Sequence, residues 1–223
     1  MATTTRIGRP RRLPRGASGD PSAEIMAAAS ALFGEQGVAG TTMSQIAAAA
    51  GLQQSSLYYY FRSKEDVLAA ILREANVIPL ELVSRVRAQT ASAAVRLHRF
   101  VAGDVAALCV LPFDINEVHR YATRDRDRFA SYWSERRTMR NQLAGVVREG
   151  VAAGELREVD PRLAAMTIVS NDEAVQNWYR HDVRPARDPA AIGRFLADFT
   201  VGGLLRDNGC LSAVRDESAR GEP

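Results

Sequence analysis

Beyond residue 20, apolar residues recur three and four positions apart almost everywhere, and no run of alternating β-branched residues exceeds a few positions. A chain with that single period has no strands to pair, so its route to a core is helix packed on helix. An all-α protein is expected. Its 223 residues suffice for one large domain or two small ones, and 46% hydrophobic with 25% charged residues is a globular composition. The longest near-continuous apolar stretch, Val105 to Phe113, is about half of a membrane span. The start, Met-Ala-Thr-Thr-Thr-Arg, lacks the apolar core of a secretory signal, and Cys109 and Cys210 are too few for a disulfide framework. These features exclude an integral membrane protein and point to the cytoplasm, with no membrane partner.

The formal net charge is +3, and its distribution matters more than its size. Residues 1–19 hold Arg6, Arg9, Arg11, Arg12 and Arg15 and no acid, so the other residues together carry −2. The same stretch contains Gly8, Pro10, Pro14, Gly16 and Gly19, a composition that does not pack a core. A basic N-terminal arm of this kind serves nucleic-acid binding, with a solubilising tail as the other reading.

Punctuation residues divide the remainder. Asp20-Pro21 reads as an N-cap with proline at the first helical position, leading a stripe of Ile25, Ala28, Ala29, Leu32 and Phe33 that Gly37 ends. Thr42-Met43-Ser44-Gln45 matches a capping box and opens a short helix stopping at Gly51. A second short helix spans about Gln53 to Tyr60, and Ser63 caps a long helix toward Arg87. Two short helices joined through a glycine turn outline a helix-turn-helix. Further helices are expected near 91–109, 114–121, 125–151, 159–180 and 189–206. This gives an arm (1–19), a three-helix DNA-binding domain (20–70), a larger C-terminal helical domain (71–206) and a polar, frayed tail (207–223).

The segment Thr41-Thr42-Met43-Ser44-Gln45-Ile46-Ala47, then Ala50-Gly51-Leu52, then Ser56-Leu57-Tyr58-Tyr59-Tyr60-Phe61-Arg62-Ser63-Lys64-Glu65 resembles the DNA-binding domain of TetR-family transcriptional regulators. Ala28-Ala29 and Leu32-Phe33-Gly34-Glu35-Gln36-Gly37 are similar to that family's first helix. In a helix-turn-helix the second helix enters the major groove. Gln53, Gln54 and Ser55 sit at its first turn, and Gln54 is the leading base reader because a glutamine pairs in bidentate fashion with adenine N6 and N7. Tyr59 should face the same groove. The resemblance implies phosphate contacts for Tyr58, Tyr60 and Lys64, and Thr42 offers its hydroxyl and the amides behind it to a phosphate. Consecutive helical positions point about a third of a turn apart, so the three tyrosines cannot all be buried; Leu57 and Phe61, four apart, are the core pair.

Residues 20–70 carry −3, so nonspecific DNA affinity falls to the arm. There Gly8-Arg9-Pro10-Arg11 resembles the core of an AT-hook, and Arg9, Arg11 and Arg12 are its candidate DNA contacts, lying in a minor groove beside the major-groove reader.

Such proteins dimerise on two-fold operators. The resemblance places the homodimer interface on the last two long helices, where Ile192, Phe195, Leu196, Phe199 and Gly203 form a stripe and Gly202-Gly203 allows close approach. The alternative is that the same stripe is intramolecular core. In residues 90–180, polar groups interrupt apolar faces at Asp104, Arg136, Arg140, Ser170 and Asn171, where burial without a partner is costly. With Phe100, Trp133 and Trp178 they would line a pocket for an amphipathic or acidic small molecule; buried ion pairs such as Asp104 with an arginine are the competing reading. No cofactor or metal is expected: His98, His119 and His181 are scattered, and no phosphate loop or metal motif is present. The reading is a dimeric, ligand-released repressor and no enzyme. A helical enzyme of unrecognised type and a nonspecific architectural DNA-binding protein remain as alternatives.

Overall fold

The computed structural model describes residues 20–179 and 187–220. Arg9, Arg11, Arg12 and the rest of the arm lie outside them. The chain divides into two compact units, Met1–Ile71 and Leu72–Pro223.

In the first unit, α1 (Pro21–Gly40) starts where Asp20 accepts a hydrogen bond from the Ser22 amide at 2.9 Å, as its Asp-Pro start predicts. Gly37, expected to end this helix, instead marks a kink at φ 75°, and one further turn follows to Gly40. Helix α2 (Met43–Ala49) opens with the reciprocal capping box of Thr42 and Gln45. Gly51 then takes φ 66°, a left-handed conformation that favours glycine, and lets the chain reverse into α3 (Gln54–Tyr60). Helix α4 (Lys64–Ala88) begins where Ser63 Oγ accepts from the Asp66 amide at 3.2 Å. Ile25, Phe33, Ile46, Leu57 and Leu68 are fully buried at the centre of this unit, each such side chain contributing about 1.5–3 kcal/mol of transfer free energy.

The second unit holds the rest of α4, then α5 (Ala93–Val110), α6 (Ile115–Ala122), α7 (Ala130–Ala152), α8 (Pro161–Glu173), α9 (Pro189–Leu204) and α10 (Leu211–Arg220). Helix α5 is central, packing against α7, α8, α9 and α10. Its approach to α9 is closest at Gly193, where a Cβ would lie 2.2 Å from the Ala102 carbonyl oxygen. Glycine there is a packing requirement.

Two further expectations change. The helix expected over 159–180 ends at Glu173 and tightens into a 3-10 turn at Ala174–Asn177. The stretch from Asp207, expected to be frayed, forms α10, because Val214 and Ser218 are buried against the bundle. His98 Nδ1 meets Ser218 Oγ at 2.9 Å while its Nε2 meets Asp198 Oδ1 at 3.1 Å. Arg99 donates to the Glu217 and Ser218 carbonyls at 2.6 and 3.3 Å. The Ser218 hydroxyl and the carbonyls of Glu217 and Ser218 have polar partners on the bundle, which a hydropathy pattern does not reveal. Among the described residues, no helix is long and apolar enough to cross a membrane.

Candidate nucleic-acid interface and ligand core

Helix α3 buries Leu57, with Phe61 closing the turn behind it. The opposite side is bare. Gln53 occupies the N-cap without a side-chain capping bond, and Gln53, Gln54 and Ser55 are all exposed. Tyr59 is 85% exposed, and Tyr58 and Tyr60 are exposed beside it. The Tyr59 and Tyr60 rings meet edge to face at 5.2 Å. A short helix therefore presents amides, a hydroxyl and phenols outward, the donor and acceptor types that meet base edges and phosphates.

Two expected phosphate contacts have other partners. The Lys64 ammonium donates to the carbonyls of Val38 at 2.7 Å, Thr41 at 2.9 Å and Ala39 at 3.3 Å. Three donors meet three acceptors, so Lys64 clasps the end of α1 against the start of α4. The Thr42 hydroxyl and amide both donate to Gln45 Oε1 at 2.8 Å. Thr42 sets the start of α2, and its own donors are engaged there.

In the second unit, the ligand-lining set from sequence separates into two groups. Phe100, Asp104 and Arg136 are buried, and Trp133 and Arg140 are half-buried. Ser170 and Trp178 are exposed, and Asn171 donates to Thr200 Oγ1 at 3.3 Å in an open groove between α8 and α9. Ser170, Asn171 and Trp178 are therefore not part of the core site. The buried stripe of α8 is Ala165, Ile168, Val169 and Asp172, with Glu173 beside it, and the 3-10 turn carries Trp178 off the helical period.

Arg136, expected to await a ligand's acid, is ion-paired with Glu173 inside the bundle. His119 Nε2 and the Tyr132 hydroxyl are hydrogen-bonded, and His119 Nδ1 lies 3.7 Å from Glu173. Burial, with Arg136 and Arg140 nearby, lowers His119 to about 3 and keeps it neutral. Burial also raises the Asp104 carboxyl to about 7, assisted by Glu173 and opposed by Arg136. Asp172 is raised well above its ordinary value by burial, then by Asp104 and Glu173. A cavity of about 30 Å³, room for one or two waters, lies among Asn76, Pro79, Asp104, Arg136, Met139 and Glu173. The described residues contain no cluster of His, Cys, Asp and Glu suited to a metal ion.

The expected dimer residues split similarly. Phe195 and Phe199 of α9 are 65% and 72% exposed, Gly203 is exposed and Gly202 half-buried. Ile192, Ala197 and Val201 turn inward. Phe199 and Gly203 line the groove of about 440 Å³ between α8 and α9, together with Leu163 and Thr167.

The profile of bacterial regulatory proteins of the tetR family matches residues 25–71, and that of the tetracyclin repressor-like C-terminal domain matches residues 90–204. The second match alone covers more than half of the chain. The chain belongs to the TetR family of bacterial regulatory proteins. As a TetR-family protein it is a DNA-binding transcriptional regulator, with α2 and α3 as its helix-turn-helix. It is similar to the HTH-type transcriptional repressor KstR2 of Rhodococcus jostii (strain RHA1), 30% identical over 70% of this chain and 78% of that one. It is 25% identical to the fatty acid metabolism regulator protein of Bacillus subtilis (strain 168), over 81% of this chain and 94% of that one. The fold matches that of the ketosteroid transcriptional regulator KstR2 of Mycobacterium tuberculosis with a TM-score of 0.74, 23% identity and coverage of 86% and 98%.

Within this TetR-family core, sequence reasoning missed Asp172, Glu173, His119 and Tyr132. Asp172 and Glu173 carried a readable signal, two adjacent acids inside an apolar helix. His119 and Tyr132 face the cluster from α6 and α7, and their spacing along the chain carries no trace of that meeting.

Proposed function

We propose that this TetR-family protein is a homodimeric, cytoplasmic repressor released from a palindromic operator by a small amphipathic effector. The outward face of α3 carries the reading. Gln54 pairs with a base edge, Gln53, Ser55 and Tyr59 contact neighbouring base pairs, and Tyr58 and Tyr60 hold phosphates. Arg9, Arg11 and Arg12 follow an adjacent minor groove. Thr42 acts by setting the start of α2, and Lys64 by holding the end of α1 to the start of α4.

The exposed Phe195 and Phe199 of α9, with Phe199 and the exposed Leu163 lining the α8–α9 groove, support a dimer built on those two helices, since contiguous exposed apolar surface marks an interaction site. The repressor assignment draws on the KstR2 relative. The amphipathic effector draws on the fatty acid metabolism regulator and on the apolar walls around the polar cluster. The effector occupies the α4–α8 core around Phe100, Asp104 and Arg136, with Trp133 and Arg140 at its margin. Full release of a bound operator asks the effector to prefer the released state by about 5.5 kcal/mol.

Selection of the full-length protein on random DNA duplexes tests this reading. A two-fold repeated site, with half-sites about one helical turn apart, is expected. An unenriched or asymmetric pool contradicts it.

A further inference from the structure

The polar cluster of the core has an excess of acid. Helix α4 contributes Asn76, which donates to Glu135 Oε2 at 2.8 Å; α5 contributes Asp104 and α6 the neutral His119. Helix α7 supplies Tyr132, Glu135, Arg136 and Arg140, and α8 supplies Asp172 and Glu173. Two guanidinium groups thus face four carboxyls. Arg136 is committed to Glu173, and the Asn76 amide to Glu135.

Asp172 is left over. It is completely buried, and neither of its oxygens has a protein donor. It stands within hydrogen-bonding reach of Asp104, where only a shared proton can join two carboxyls. Asp104 in turn lines the 30 Å³ cavity. Five helices, α4 to α8, close round that cavity, and α4 is interrupted beside it: Pro79 has no amide hydrogen, so the Ala75 carbonyl one turn back lacks its helical donor. Asp104 of the carboxyl pair, Ala75 with its released carbonyl and a void large enough for one polar group share one place in the bundle.

We propose that Asp104 and Asp172 form the head-group subsite of the effector, and that it accepts a hydrogen-bond donor, an ammonium or an amide N–H on an apolar tail, and rejects a carboxylate. This rests on the core being the effector site and names the chemistry it selects. A donor in the cavity meets Asp104, and an ammonium also replaces the proton that Asp104 shares with Asp172, which leaves to solvent. A carboxylate would add a fifth acid to the cluster, where Arg136 is already paired with Glu173. Arg136, the residue that from sequence alone suggests an acidic head, is the reason an acid gains little here.

Thermal unfolding of the full-length protein with n-hexylamine, hexanamide and hexanoate, each at about 10 mM, tests the subsite, since probes of this size bind in that range. A rise of about 2–4 °C is expected with hexylamine, hexanamide or both, and none with hexanoate. Stabilisation by the amine alone identifies a cationic head, and equal stabilisation by both a neutral donor. Asp172→Asn, which fills the pair with its own N–H donor, should abolish the rise, as should Asp104→Asn. A hexanoate shift as large as that of the donors, no shift with either donor, or a donor shift that survives both variants overturns the proposal. The operator selection described above is independent of these probes, so the repressor reading can stand while this subsite fails.

Discussion

Single side chains in this protein divide sharply between framing and reading. Lys64 lies four residues past the exposed tyrosines, yet its ammonium is fully engaged by carbonyls 23 to 26 residues away. Gln54, by contrast, is exposed. The Thr42–Gln45 capping box was legible because both partners lie within one turn of the chain, whereas the partners of Lys64 are visible only after folding. Asp172 makes the same point in the core, where the pattern of α8 suggested Ser170 and Asn171 and the helix phase selected its neighbours. The Asp104–Asp172 pair also gives a pH dependence. A carboxyl at about 7 in the folded protein holds its proton more tightly than the unfolded chain does, so stability falls as pH rises from the unfolded value through about 7. Asp172→Asn offers Asp104 an N–H in place of the shared proton. The wild-type unfolding midpoint should therefore drop relative to the variant between about pH 5 and pH 8, and parallel curves would refute the shared proton.

Helices fix where the two functions sit. The starts of α1, α2 and α4 were readable because Asp, Ser or Thr caps and a following proline act locally. The end of α8 and the existence of α10 were not, since both depend on what the bundle offers: burial for Asp172 and Glu173, and His98 and Arg99 as partners for Ser218. The contact of α5 with α9 is set by backbone against backbone at Gly193. Gly193→Ala should therefore cost about 1–3 kcal/mol or more in urea unfolding, because a carbonyl cannot move aside as a side-chain tip can. A loss under 0.5 kcal/mol, the range of an ordinary surface substitution, would show that α5 and α9 can separate freely.

The whole chain combines an acidic reading domain with a basic arm, and this sets how it should respond to salt. Residues 20–70 carry −3 and residues 1–19 carry five arginines. In a dimer about ten arm arginines would reach DNA, so deleting residues 1–19 should reduce the slope of log affinity against log salt by a few units, and by at most about nine. An unchanged slope would assign the phosphate contacts to α3 and its neighbours instead. Sequence specificity should survive the deletion, because α3 is intact. The measurement that bears most directly on α3 as the reading element is the affinity of wild-type protein and Gln54→Ala for a selected operator and for its single base-pair variants. The wild type should lose about 1–3 kcal/mol for a change at one two-fold related position. The variant should lose that discrimination while keeping its nonspecific affinity and its unfolding midpoint. Undiminished discrimination at every position by Gln54→Ala would contradict α3 as the reader of the sequence.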